Sequence, residues 1–306
     1  MNALAALLAQ VFHVALMLVL VPIVEAALQW LEACLAGRRP GPSVTQPARD
    51  LVRLFRKQSV WPESGSVMSR AAPPASLAFT LTAACLVPSF TLGMAFAPLA
   101  DLLTVAFLLV LARVAMVLAA LDSGTALGAL AGRQSVSLGT LAEPVLVLVV
   151  FVLAALAGTG NVDLIAAAQR DGTLSAGPAS TLAAVALAAV AFGDLPDRVD
   201  GLDREFSGPG LALTRIGWTL RLLVWLNLLV VLFLPFGIAP ADSGLAAWGV
   251  GLICWIAKLA LLLVVCGSAR AFVGRFGAPR RAALLAVALT LGLLAAVLAL
   301  AGTAAA

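Results

Sequence analysis

The chain has 306 residues, 62% of them hydrophobic and only 11% charged, with a mean hydropathy of +1.08 and a formal net charge of +4. Such a composition excludes an ordinary soluble domain and points to an all-α, polytopic bundle of transmembrane helices. The four cysteines, Cys34, Cys85, Cys254 and Cys266, stand singly in apolar runs and His13 is the only histidine, so this chain can assemble neither a zinc site nor a cysteine-held iron–sulfur cluster.

Apolar runs of roughly 20 residues predict spans near residues 3–35, 75–97, 101–121, 136–157, 178–193, 211–236, 244–267 and 282–302, about eight in all. The whole chain, 1–306, reads as one integral membrane domain. The first run lacks a basic leader and continues past the length of a signal-peptide core, so it is expected to be retained as a span. The fifth is short and Ala-rich.

Between the first two spans lies the one long basic segment, Gly37 to Lys57. Its second half predicts a short amphipathic surface helix. Pro47 suits the first helical position and Asp50 the first turn. Leu51, Val52, Leu54 and Phe55 fall on one side and Arg49, Arg53, Arg56 and Lys57 on the other. Such a helix lies in the headgroup layer, and lipid charge alone would account for its arginines.

Loop charge predicts orientation. Arg38, Arg39, Arg49, Arg53, Arg56, Lys57, Arg70, Arg133, Arg198, Arg204, Arg215, Arg270, Arg275, Arg280 and Arg281 fall on one side, and only Arg170 on the other. By the positive-inside rule the loops near 36–74, 122–135, 194–210 and 268–281 are cytoplasmic and both termini lie outside. The positive charge thus has a membrane explanation and gives no ground for a nucleic-acid partner. Tyrosine is absent, which leaves Trp30, Trp61, Trp218 and Trp248 to anchor the span ends.

Charges at membrane depth are costly and face a protein interior or a wet cavity. They are Glu25, Arg113, Glu143, Arg221 and Lys258, with Asp101 and Asp122 bounding the third span and Arg133 preceding the fourth. Glu25 and Glu32, seven residues apart, share a helix face with about 10 Å between them. Glu143 lies about 15 Å of helical rise beyond Arg133. A buried carboxylate suits proton carriage, because leaving water favours its neutral form; the other reading is a static ion pair with Arg113, Arg221 or Lys258. His13, alone on an apolar run, reads as a packing residue. A second polar island, Gly193 to Gly210, gathers Asp194, Asp197, Asp200, Asp203 and Glu205 on the side of the basic loop and ends at Gly208-Pro209-Gly210. It reads either as a solvated acidic loop or as a docking surface.

Three blocks carry a resemblance. GRRPGPSVTQPARDLVRLFRKQSVWPESGSVMSRAAP resembles the first cytoplasmic loop of the membrane subunit shared by respiratory complex I, as its subunit 1, and the group 4 NiFe hydrogenases, as formate hydrogenlyase subunit 4 and its counterpart in hydrogenase-4. LARVAMVLAALDSGTALGALAGRQSVSLGTLAEP is similar to the hydrogenase branch, with its LAR at Leu111 to Arg113, its D-S-G turn at Asp122 to Gly124 and its A-E-P at Ala142 to Pro144. EFSGPGLAL, from Glu205, resembles the E-Y-S-G motif opening the sixth span. Gln134 and Phe206 depart from the family's glutamate and tyrosine, and the stretch before Glu205 is short and lacks the family's His and Glu cluster.

The resemblance implies a non-catalytic membrane subunit of an energy-converting oxidoreductase in the bacterial cytoplasmic membrane. It would link a soluble redox module to movement of H⁺ or Na⁺. Its partners would be hydrogenase-like large and small subunits and antiporter-like membrane subunits. The NiFe centre and iron–sulfur clusters would lie in those partners, and a quinone is the group that the complex I branch adds. Carried over by position, Glu143 is the buried acid of the ion path, with Arg113, Asp122, Arg133, Arg221, Lys258 and Glu25 as its other candidates. Arg38, Arg39, Gln46, Asp50, Arg53, Lys57 and Glu205 are the candidates for partner contact. The alternatives are a quinone-site subunit of a complex I-type NADH dehydrogenase and, from another class, a free-standing secondary transporter.

Overall fold

In a computed structural model, residues 3–35, 37, 45–60, 65–172, 177–193, 202–240, 243–273 and 278–305 are described. Arg38, Arg39, Trp61 and most of the acidic island, Asp194, Asp197 and Asp200 included, lie outside them. The described residues form ten α-helices and two short 3-10 turns, as befits a chain whose backbone polar groups must be satisfied within each hydrocarbon-crossing segment.

The helices are α1 (Ala3–Leu35), α2 (Gln46–Phe55), α3 (Val67–Leu86), α4 (Leu102–Asp122), α5 (Ala126–Ala157), α6 (Val162–Arg170), α7 (Pro178–Gly193), α8 (Gly208–Phe233), α9 (Leu245–Val273) and α10 (Ala278–Ala305). Six, namely α1, α4, α5, α8, α9 and α10, are long and apolar enough to cross a membrane, and α7 is a shorter apolar helix. With α3 they correspond to the eight expected spans.

The boundaries moved for local reasons. The second span was expected at 75–97. Instead α3 starts at Val67, where Ser66 caps it by accepting the Met68 N–H, and stops at Leu86 because Val87, preceding Pro88, takes an extended conformation. α5 begins at Ala126, with Thr125 as its cap, so Arg133 lies on the helix rather than before it. α2 begins at Gln46, which makes Pro47 its second residue and leaves Asp50 beyond the first turn. Gly208, Pro209 and Gly210 open α8 rather than close a loop, with proline in the first turn where its missing N–H costs nothing. α6 was not foreseen; Asn161 starts it by accepting the N–H groups of Asp163 and Leu164.

α8 is the centre. Its most apolar stretch is 78% buried, against 28% for α1 and α9, and every residue from Leu220 to Leu232 is buried. Around it, α3 packs on α4 and α8, α10 packs on α5 and α7, and α1 packs on α9 and α8. α2 rests on α1 and α8, with Val52 and Phe55 exposed, as a helix lying at the headgroups would have them.

One end of the bundle is knit by main chain. Leu92 N donates to Ala239 O at 3.0 Å, Ala239 N to Phe90 O at 3.0 Å, Leu102 N to Gly160 O at 2.9 Å and Val162 N to Ala100 O at 2.7 Å. Side chains complete the closure. Asn227 Nδ2 donates to Pro88 O at 2.7 Å and Val87 O at 3.3 Å, while its Oδ1 accepts Trp255 Nε1–H at 2.8 Å. His13 donates from Nε2 to Ala84 O at 2.8 Å and accepts the Ser89 hydroxyl at Nδ1, 2.7 Å away; it is a packing residue with both nitrogens engaged. Trp248 meets Phe90 edge-on, and Trp30 is exposed.

Asn227→Leu strands two buried carbonyls and an indole N–H. We expect it to destabilise the detergent-solubilised chain by about 1–3 kcal/mol, seen as a lowered thermal midpoint; an unchanged midpoint would show that other groups meet those carbonyls.

Candidate functional site

At the other end, the three sequence blocks converge. The turn joining α4 to α5, Asp122 to Thr125, lies between the start of α3 and the 3-10 turn Leu202–Glu205. Asp122 Oδ2 accepts four hydrogen bonds, from Ser66 N at 2.8 Å, Ser66 Oγ at 2.9 Å, Ser69 N at 3.2 Å and Ser69 Oγ at 2.6 Å. Thr125 Oγ1 donates to Glu205 Oε1 at 2.6 Å while accepting Gly128 N–H at 2.9 Å. A single turn therefore holds α3 on one side and the start of α8 on the other.

The basic segment joins the same seam. Ser207 Oγ accepts Val60 N–H at 2.7 Å and donates to Val60 O at 3.0 Å. Gly208 follows with φ +53°, and a Cβ there would lie 2.8 Å from Gln58 O, so the motif's glycine is required by the close passage of the chain leaving α2. Phe206 is buried with Ala72, Met116 and Ala119, an apolar cluster that its ring fills without a hydroxyl. The partner-contact candidates divide accordingly. Glu205 bonds inward to Thr125; Gln46 and Asp50 are half-buried on α2; Arg53 and Lys57 are exposed. Arg38 and Arg39 are not among the described residues.

Beneath the seam lie two charged groups, Arg113 buried and Glu143 half-buried. Arg113 and Glu143 come together over Gly139, where a Cβ would meet Arg113 Nη1 at 2.8 Å and Glu143 Oε1 at 3.3 Å. Glycine at this position thus makes the room that both side chains use. Arg113 is nine residues before Asp122 on α4, about 13 Å of rise from the seam. Arg221 of α8 reaches the same helix one turn from Arg113, its Nη1 donating to Leu109 O at 2.6 Å, with its guanidinium 5.9 Å from the Trp218 ring.

The other ion-path candidates lie apart. Lys258 Nζ donates to Leu234 O at 2.7 Å and to Phe236 O, and sits 4.4 Å from the Phe236 ring centroid. It caps the far end of α8, thirteen residues or about 20 Å of rise from Arg221. Glu25 accepts Gln29 Nε2–H at 3.3 Å on α1, and Arg133 is exposed on α5. Sequence reasoning did not find Thr125, Ser66, Ser69 or Ser207, although the S-x-x-S of the first block and the hydroxyls flanking Gly124 and Gly208 were visible. All four cysteines are free, and among the described residues no three His, Cys, Asp or Glu side chains gather as a metal site.

The chain is 34% identical to hydrogenase-4 component C of Escherichia coli (strain K12) over 265 residues, 82% of each chain. It is 32% identical to formate hydrogenlyase subunit 4 of the same organism over 227 residues, 71% of this chain and 74% of that one. Its fold matches a chain in the structure of the membrane-bound sulfane sulfur reductase, an archaeal respiratory membrane complex, with a TM-score of 0.74 at 20% identity, covering 95% of this chain and 98% of that one. The pattern of the NADH dehydrogenase family matches residues 11–302, and the chain belongs to that family.

Proposed function

We propose that this chain is the membrane-anchoring, ion-coupling subunit of an energy-converting oxidoreductase complex of the hydrogenase or formate hydrogenlyase type. The observation that carries the reading is the seam. The three blocks that resemble that family, distant in sequence, are bonded into one surface through Asp122, Thr125, Glu205 and Ser207, on the same helices, α4 and α5, that carry Arg113 and Glu143. The relatives are components of hydrogenase-4 and formate hydrogenlyase, so partner subunits are part of the proposal. They would be a hydrogenase-like soluble module, which carries the NiFe and iron–sulfur chemistry, and antiporter-like membrane subunits. By the positive-inside rule, the excess of arginine and lysine in the loops supports a cytoplasmic seam with both termini outside. Exposed Arg53 and Lys57 offer the docked module, or the headgroups beside it, a cationic rim.

The coupling step follows from how the turn is built. α4 ends and α5 begins at Asp122–Thr125, so a docked module that shifts the seam moves Arg113 on one helix relative to Glu143 on the other. In this reading Glu143 is the acid of the ion path, and Arg113, across Gly139 from it, is the cation whose position the seam controls.

Glu143→Gln keeps the shape and removes the charge. We expect the complex to assemble and its dye-linked redox turnover to survive, while ion movement into vesicles is lost. Loss of assembly in this variant would instead mark the pair as a static ion pair.

Asp122→Ala removes all four bonds from α3. We expect a tagged chain so altered to reach the membrane but to recover much less of the soluble module on mild-detergent purification than the unaltered chain does, read by mass spectrometry with nickel and iron analysis. Equal recovery would place the docking surface elsewhere, and a stable lone polypeptide without metal from the unaltered chain would favour the transporter reading.

A further inference from the structure

The bundle end opposite the seam holds a titratable group that the coupling scheme does not use. Asp163, second residue of α6, is 8% exposed. Its Oδ2 accepts Gly93 N–H at 2.6 Å, across seventy residues of chain, and Gly93 itself has φ +70°. Its Oδ1 is buried and meets no hydrogen-bond partner among the described residues.

Among the described residues, no cation compensates it. α6 packs on α5 and α8; at this end α5 contributes residues 144–157 and α8 residues 222–233, and neither stretch contains an ionisable side chain. Nor does the segment 87–100 that Asp163 touches. The nearby ionisable groups are committed elsewhere: Asp101 to Thr104 N and Oγ1, His13 to Ala84 and Ser89, and Lys258 to the carbonyls ending α8. On α6 itself Arg170 pairs with Asp171 at 2.9 Å, about 10 Å along the helix from Asp163. A buried carboxylate with one bare oxygen and no counter-ion is tolerated in the neutral form, not the charged one.

We infer that Asp163 is a proton-binding latch on this face: protonated, it stays inside and ties α6 to the segment 87–100 through Gly93; ionised, it gives its proton to the adjacent water, turns outward and loosens that closure. Burial pushes the Asp163 carboxyl up from the ordinary aspartate range, the Gly93 N–H pulling the other way. The sign follows. The closed form binds more protons than the open one between the ordinary and the raised value, so its stability is full below about pH 4 and is lost as pH rises through the raised value. This is independent of the coupling proposal above.

Infrared difference titration of the full chain in membranes tests it. A carboxylic-acid carbonyl band should titrate above the solvated-aspartate value of about 4, and Asp163→Asn should remove it. A band unchanged in that variant, or a midpoint near 4, would overturn the latch. Should the variant fail to fold, amide exchange in the unaltered chain decides. After correction for the intrinsic pH dependence, protection across 87–100 should drop as pH rises through the midpoint, and protection flat with pH would overturn the proposal.

Discussion

Backbone carbonyls that no helix satisfies have few remedies at membrane depth, and the buried polar side chains of this molecule are arranged around that constraint. Arg221 donates to Leu109 O, Asn227 to Val87 O and Pro88 O, and Lys258 to Leu234 O and Phe236 O. His13 and Gln10 donate to Ala84 O and Cys85 O, beside the proline that ends α3. Each is a donor serving an acceptor, where an unmade bond would cost the full desolvation of the group. These residues set the depth and register at which α8 meets its neighbours.

A carboxylate cannot serve in that way, because it has no donor to offer when ionised. Half-buried Glu143 on α5 and buried Asp163 near the far end are therefore groups that carbonyl satisfaction does not explain. Charge sign thus separates two populations that hydropathy treats alike. The cations partly explain themselves as caps, Lys258 most fully. Arg113 differs in place, since it lies across Gly139 from the acid.

Much of the fold was legible in the sequence because a span is a local property: about 20 apolar residues declare it whatever surrounds them. The apolar helices came from such counting, and the surface helix from the two-sided pattern of its side chains. What was not legible depended on partners. That Lys258 faces the end of α8 requires knowing where α9 lies, and that Gly139 makes room for an arginine requires knowing that α4 crosses there. The motif blocks were readable as strings, yet their meeting through Thr125–Glu205 and Ser207–Val60 is long-range pairing that no spacing encodes. α6 hid for a further reason, since nine residues with two charged side chains resemble a loop until Asn161 caps them.

The two ends of the bundle differ in how they are closed, and the difference suits a coupling subunit. The far end is joined mainly by main-chain hydrogen bonds between three segments, with Asn227, His13 and Asp163 as the side chains that complete it. The seam is joined by hydroxyls and carboxylates, whose bonds are individually modest and exchangeable with water. A load applied by a docked module would be met at the seam first. α4 and α5 hinge on the same four-residue turn, whereas α8 is packed along its whole buried length and gives them a fixed post to move against. Displacement at the turn is then expressed where two charged side chains share the space above one glycine, so that a shift of one helix changes their separation and with it their electrostatic energy.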